Sequence, residues 1–197
     1  MTDTDSERSY LATADEIDME HEEMAIQKHS TAALVITLLA FGAAYYVVGP
    51  LVDFPTELAE RLRFGVLNSV FILLWVLVGV GMVSTGRRKS AQDIGGSAAG
   101  PPSEKLAIKS AFLQNTLEQA VLASTAVMAW VVLVDGAWLA LVPVAVVVFA
   151  VGRILFYRGY PKGASGRAFG MSLTMSPALL GIPAAVVLVI IELAGMV

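Results

Sequence analysis

Long uncharged apolar stretches alternate along the chain with short polar ones. Five such windows stand out, at 31–52, 64–86, 110–134, 136–152 and 168–191, the third interrupted by one charge, Glu118. A bilayer core about 30 Å thick needs roughly 20 apolar residues per helix, so each window reads as one crossing. The fourth is the shortest and is expected to run on through Arg153 toward Tyr157. The third and fourth are separated only by Asp135, Gly136 and their neighbours, which leaves room for nothing but a tight helical hairpin. The pattern predicts an all-α integral membrane protein with five spans and no internal repeat.

Composition agrees with this reading. Of the 197 residues 56% are hydrophobic and 15% charged, against about 25% charged in soluble domains; the mean hydropathy is +0.71. The chain has no cysteine, which excludes disulfides, thiolate metal sites and a cysteine nucleophile. The first 29 residues carry nine Asp or Glu against Arg8 and Lys28. They lack the short apolar core of a secretory signal and read as an acidic tail with a floppy start. A short surface helix is expected at 14–28, with Ile17, Met24 and Ile26 as a weak apolar face. The organisation that follows is a partly helical or disordered tail at 1–29, an extra transmembrane helix with its loop at 30–63, and a four-helix membrane domain at 64–197.

The net charge is −4, but the placement of cations says more than the total. Arg87, Arg88, Lys89, Lys105 and Lys109 lie between the second and third windows, and Arg153, Arg158, Lys162 and Arg167 between the fourth and fifth. The loop between the first and second windows has only Arg61 and Arg63, and the hairpin has none. Basic loops stay in the cytoplasm, which puts the N-terminus and both basic loops there. Trp130 and Trp138 flank the hairpin, and Tyr45 and Tyr46 end the first window, as an interfacial aromatic belt would. No basic stretch is interleaved with aromatics, so nucleic acid is not an expected partner.

The polar residues inside the windows carry the chemistry. A carboxylate inside a membrane helix costs at least ~2.5 kcal/mol and marks a functional candidate. Glu118 is one, with Asn115 three residues earlier and Gln114 and Gln119 beside them. Arg153 is its natural partner: at 1.5 Å per residue, Glu118 lies ~18 Å and Arg153 ~9 Å from the same membrane face. The two form either a structural ion pair or the base of a polar ligand pocket. Tyr157 and Tyr160 follow Arg153 at helical spacing. Arg158, Lys162 and Arg167 fall in a glycine-rich loop, whose cations read as topology signals or as contacts to anionic lipid. That loop matches no phosphate-binding motif. His21 and His29 read as solvated surface residues, and His21-Glu22-Glu23-Met24-Ala25 lacks the second histidine of a zinc-protease helix; no metal site is expected. Pro143, Pro177 and Pro183 fall within spans and are expected to kink them.

Three features in order resemble the MAPEG family, the membrane-associated proteins of eicosanoid and glutathione metabolism. They are Ser84-Thr85-Gly86-Arg87-Arg88 followed by Gly100-Pro101-Pro102, the Asn-x-x-Glu pair at Asn115 and Glu118, and Arg153 followed by Gly159-Tyr160 and Arg167. The resemblance covers about 64–195. It implies a MAPEG-type four-helix bundle, here with one extra N-terminal helix, assembled as a homotrimer among membrane lipids. It also implies glutathione as co-substrate, held by Asn115, Glu118, Arg153 and Tyr160, with Arg87 or Arg88 reaching in from an adjacent subunit. Arg167 would be the catalytic residue that stabilises the glutathione thiolate. The implied activity is that of a transferase or peroxidase acting on a lipophilic small molecule. The alternative is a non-catalytic lipid- or fatty-acid-binding protein of the same fold, favoured by Ala111, where the family usually has an arginine.

Overall fold

The computed structural model describes residues 18–195; the expected floppy start of the acidic tail, with Ile17, lies outside the described residues. Five long helices make up most of the described chain. Helix α1, Met19–Ala43, continues through a π-helical turn at Ala44–Val48 and a 3₁₀ turn at Gly49–Leu51. Helix α2 is Leu58–Arg88 and α3 is Glu104–Leu133. Helix α4, Leu141–Gly159, is preceded by a 3₁₀ turn at Gly136–Ala140, and α5 is Gly163–Leu193.

Local chemistry sets most of the ends. Asp18 caps α1 by accepting from the His21 amide at 3.1 Å, and Glu20 and Glu22 follow in the first turn, where negative charge suits the helix dipole. Because the helix starts at Met19, the surface helix expected before residue 29 and the first span are one continuous rod. Ser103 caps α3, accepting from the Leu106 amide, and is itself clamped by Asp93, which accepts from its amide at 2.7 Å and its hydroxyl at 2.6 Å. These hydrogen bonds hold the Asp93 carboxyl below its ordinary pKa, the Ser103 side chain first among the causes. At the far end of α3, Arg61 Nη1 donates to the Val134 carbonyl at 2.6 Å, so that cation serves as a local cap. The hairpin is closed by Trp130 Nε1 donating to the Trp138 carbonyl at 3.0 Å.

Four helical stretches are long and apolar enough to cross a membrane: Met19–Leu51, Leu58–Arg88, Glu104–Leu133 and Gly136–Leu193. The last holds both α4 and α5, joined by one 3₁₀ turn at Tyr160–Lys162. The fourth and fifth windows thus fall within a single helical stretch, and a fifth span is not shown by this count. The glycine-rich loop expected at 159–167 is mostly helix: Gly163, at φ +83°, breaks direction, and Ala164 to Arg167 already belong to the first turns of α5.

Helices α4 and α5 run antiparallel in close contact. A Cβ on Gly152 would strike Thr174, one on Gly159 would strike Gly166, and one on Gly170 would strike the Phe156 backbone. The paired numbers have a nearly constant sum, which is the register of an antiparallel pair, and small residues at such a seam let backbones approach. Helix α1 lies against α5, where Ser30 Oγ meets Ser172 Oγ at 2.8 Å. Helices α2 and α3 form the other pair, with Gly79 under Leu113 and Gly65 under Val131. Ile72, Ala120, Val127, Val131, Leu139 and Phe149 form the central core. The outward face of α2 is apolar, with Val66, Leu67, Val70, Phe71 and Leu77 all exposed, as a lipid-facing helix requires.

Candidate functional site

Arg153 is the largest fully buried side chain described. It sits on α4 and reaches both neighbours. Its Nε donates to Thr174 Oγ1 on α5 at 3.0 Å, and Nη1 donates to Asn115 Oδ1 on α3 at 2.8 Å. Thr116 Oγ1 lies 3.5 Å from Nη1, and Met171 Sδ 4.0 Å from Nη2. The guanidinium also lies over the Phe156 ring, 4.7 Å from its centroid, and 5.7 Å from that of Phe149. Every one of these partners is neutral. A desolvated cation needs either a counter-ion or a saturated set of acceptors, and among the described residues this one has acceptors alone.

The expected pair of Glu118 with Arg153 is therefore corrected: Asn115 holds the arginine instead. Helix geometry explains the outcome. The buried face of α3 runs through Phe112, Thr116, Gln119, Ala120 and Ala123, and Asn115 borders it. Glu118 belongs to the opposite stripe, with Gln114, Leu117, Val121 and Leu122 exposed at helical spacing. There Gln114 Nε2 donates to Glu118 Oε1 at 2.8 Å, an i, i+4 contact along the helix.

A second cation sits at the α4–α5 turn. Arg167, half-buried, lies over the Tyr160 ring at 4.7 Å. Tyr160 packs edge-on against Phe156 at 5.5 Å, and Phe156 carries Arg153 on its ring. The order Arg153, Phe156, Tyr160, Arg167 is a continuous ladder of cations and aromatics along one end of α4. Cation–π contacts of this kind hold a guanidinium without neutralising it. Tyr157 turns to α3 and packs on Phe112 at 5.2 Å.

Arg87 and Arg88 stand apart from this ladder. They end α2 and line a groove with Val80, Val83, Ser84 and Leu113; Arg87 Nη2 reaches Ser97 Oγ at 3.4 Å. Within one chain, then, Asn115 joins Arg153 and Tyr160 joins Arg167, whereas Glu118, Arg87 and Arg88 lie outside the cluster.

Several contributors carry no motif of their own. Thr174, Thr116 and Phe149 touch Arg153, and only the fold brings them there. Helix α1 also reaches the site region. Glu22 accepts from the Ser165 amide at 2.8 Å and from its hydroxyl at 3.1 Å. His29 Nδ1 donates to the Ser165 carbonyl at 3.0 Å and meets Phe169 edge-on. The reading of His29 as a solvated surface residue is corrected by these contacts. A docked partner helix explains why sequence spacing gave no sign of them.

The order of motifs matches a known family across the bundle. The model of the MAPEG family matches residues 65–187, more than half of the chain. The chain belongs to the MAPEG family. No curated protein matches it, and no solved structure does. MAPEG membership and the long apolar helices together make this an integral membrane protein. The match begins within α2, so α1 lies outside the matched residues.

Proposed function

We propose that this MAPEG protein is a glutathione-dependent transferase or peroxidase acting on lipophilic electrophiles. The observation that carries the reading is the buried Arg153, held only by neutral partners and joined through Phe156 and Tyr160 to Arg167. A cation in low dielectric without a counter-ion favours an anionic ligand, and glutathione brings two carboxylates and a thiol. Asn115 and Arg153 would hold the tripeptide, and Tyr160 would flank it. Arg167 would favour the thiolate of a thiol whose free pKa is ~8.5. The thiolate sulfur then attacks the electrophilic carbon, forming the S–C bond as a leaving group departs or a proton is taken up.

The site is best completed by a homotrimer. The stripe of Gln114, Glu118, Val121 and Leu122 would otherwise face lipid with a carboxylate, at a cost of at least ~2.5 kcal/mol. A second copy packed on that stripe covers Glu118 and brings Arg87 or Arg88 of the neighbour toward it. The antiparallel α4–α5 pair supports five crossings, since a straight 58-residue helix would measure about 87 Å. The cation asymmetry supports a cytoplasmic N-terminus and cytoplasmic motif loops.

The test is calorimetric titration of glutathione into detergent-purified protein beside a Glu118→Gln variant. Saturable binding, weakened by the substitution, is the expected result. Absence of binding up to millimolar glutathione would overturn the reading in favour of a non-catalytic lipid-binding protein of the same fold, which Ala111 favours.

A further inference from the structure

A half-open cavity of about 530 Å³ lies within the protomer, lined mainly by α1, α3, α4 and α5. Ligand pockets span ~300–1,000 Å³ and are mostly apolar, and this one falls within that range. The void exists because small residues face it from every side: Gly42 on α1, Ala123 and Ala126 on α3, Ala145 on α4, and Gly181 and Ala184 on α5. Pro177, another lining residue, lies inside α5 and cannot complete the helical hydrogen-bond ladder there.

The cavity is separate from the polar ladder. Phe149 stands between them, lining the cavity on one side and facing Arg153 on the other. None of Asn115, Arg153, Tyr160 or Arg167 lines it. Its opposite end is rimmed by aromatics. The π-helical turn of α1 places Tyr45 4.4 Å from Trp138, between ring centroids, and Trp138 meets Trp130 at 6.0 Å. Such rings, with an apolar body and one polar atom, belong at the level of lipid headgroups. From Trp138 to Phe149 the cavity runs about 17 Å along the 3₁₀ turn and α4.

We propose that this cavity holds one acyl chain of a bilayer lipid. The headgroup stays at the Tyr45–Trp138 rim and the chain runs inward to Phe149. Three observations select this occupant over a soluble ligand. The walls offer almost no polar partner, so neither water nor a polar solute is stabilised. The aromatic rim sits where a lipid's polar end would be. The cavity is half open and not sealed, which leaves an entrance for a chain. Because α1 precedes the family match at 65–187, the wall it supplies lies outside the matched region, and the site is independent of the glutathione reading.

Filling the cavity tests the proposal. A side chain at Gly42 meets nothing within 4 Å, and one at Gly181 meets only Ala126 Cβ at 3.5 Å, so Gly42→Leu and Gly181→Leu can extend into the void without backbone strain. Native mass spectrometry of delipidated full-length protein should show one retained phospholipid per chain in the wild type. Retention should fall at least tenfold in both variants, while glutathione binding is unchanged. A second measurement needs no variant. Phospholipid brominated in mid-chain, titrated into wild-type protein, should quench Trp130 and Trp138 fluorescence with saturation at one lipid per chain. Equal retention in the leucine variants, retention of free fatty acid in place of phospholipid, or quenching that never saturates would each overturn it.

Discussion

The Arg153 guanidinium donates to Asn115 Oδ1 at 2.8 Å, tying α4 to α3, while its Nε donates to Thr174 on α5. One side chain thus cross-links three helices at a fully buried point. A hydrogen bond to a charged group contributes about 1.5–3 kcal/mol, so Asn115→Ala should lower stability in detergent by that amount. Arg153→Lys should do no better than Asn115→Ala, because a single ammonium cannot reproduce the planar fork that serves both partners. Thermal unfolding followed by helical circular dichroism checks both; a wild-type midpoint for Arg153→Lys would refute the cross-link.

Arg167 should show its role in the pH dependence of turnover. If it lowers the thiol pKa, glutathione in Arg167→Ala reverts to ~8.5 and is only a few per cent ionised at pH 7. The variant should then lose about 30-fold in rate at pH 7 and recover as pH rises through 8.5. The wild-type rate should already be level across that range. A pH–rate profile with a thiol-reactive electrophile measures this, and an unchanged profile removes Arg167 from the mechanism.

Glycines at the α4–α5 seam should differ sharply from glycines elsewhere. At Gly170 an added methyl strikes the Phe156 backbone, whereas at Gly81 it meets nothing within 4 Å. Gly170→Ala should destabilise by about 1–3 kcal/mol or more through overpacking. Gly81→Ala should be neutral or gain up to ~1 kcal/mol from helix propensity. Equal midpoints for the two would contradict the antiparallel register.

The contact of Glu22 with Ser165 should govern the mobility of the start of α5. Its carboxylate satisfies an amide of the first helical turns, a capping contact whose loss costs about 1 kcal/mol. Glu22→Ala should therefore speed amide exchange at Ser165 by about fivefold, with little change at the centre of α5. Hydrogen exchange resolved by residue reads this, and an unaltered Ser165 rate would show that α1 does not brace that turn.

Asp93 should make the loop before α3 sensitive to acid. Its carboxyl is held below the ordinary 3.8, chiefly by the Ser103 hydroxyl and amide. A depressed folded pKa gives stability that is present above the unfolded value and is lost as pH falls through the folded one. The loop should loosen only below about pH 4, and Asp93→Asn should loosen it at all pH values and flatten that dependence. Limited proteolysis of the 89–103 segment across pH reports the difference.

The sequence by itself determined that this chain lives in a membrane and is built of helices, because long uncharged windows admit little else. It also supplied the ordered motifs of the MAPEG family, since Asn115, Arg153, Tyr160 and Arg167 keep their spacing whatever the chain does between them. It did not separate Asn115 from Glu118 as the partner of Arg153. Both lie near the same depth, and only the rotation of α3 against α4 turns one inward and the other outward. Thr174, Phe149 and Ser165 were silent for the same reason: their roles come from helices packed across large sequence separations. The joining of the acidic stretch to the first span was hidden by a change of composition near residue 30, which marks where the chain leaves water but does not interrupt helical hydrogen bonding. The cavity beside Gly42 was decided by tertiary structure alone, because a void belongs to no residue and arises where four helices present small side chains to one another.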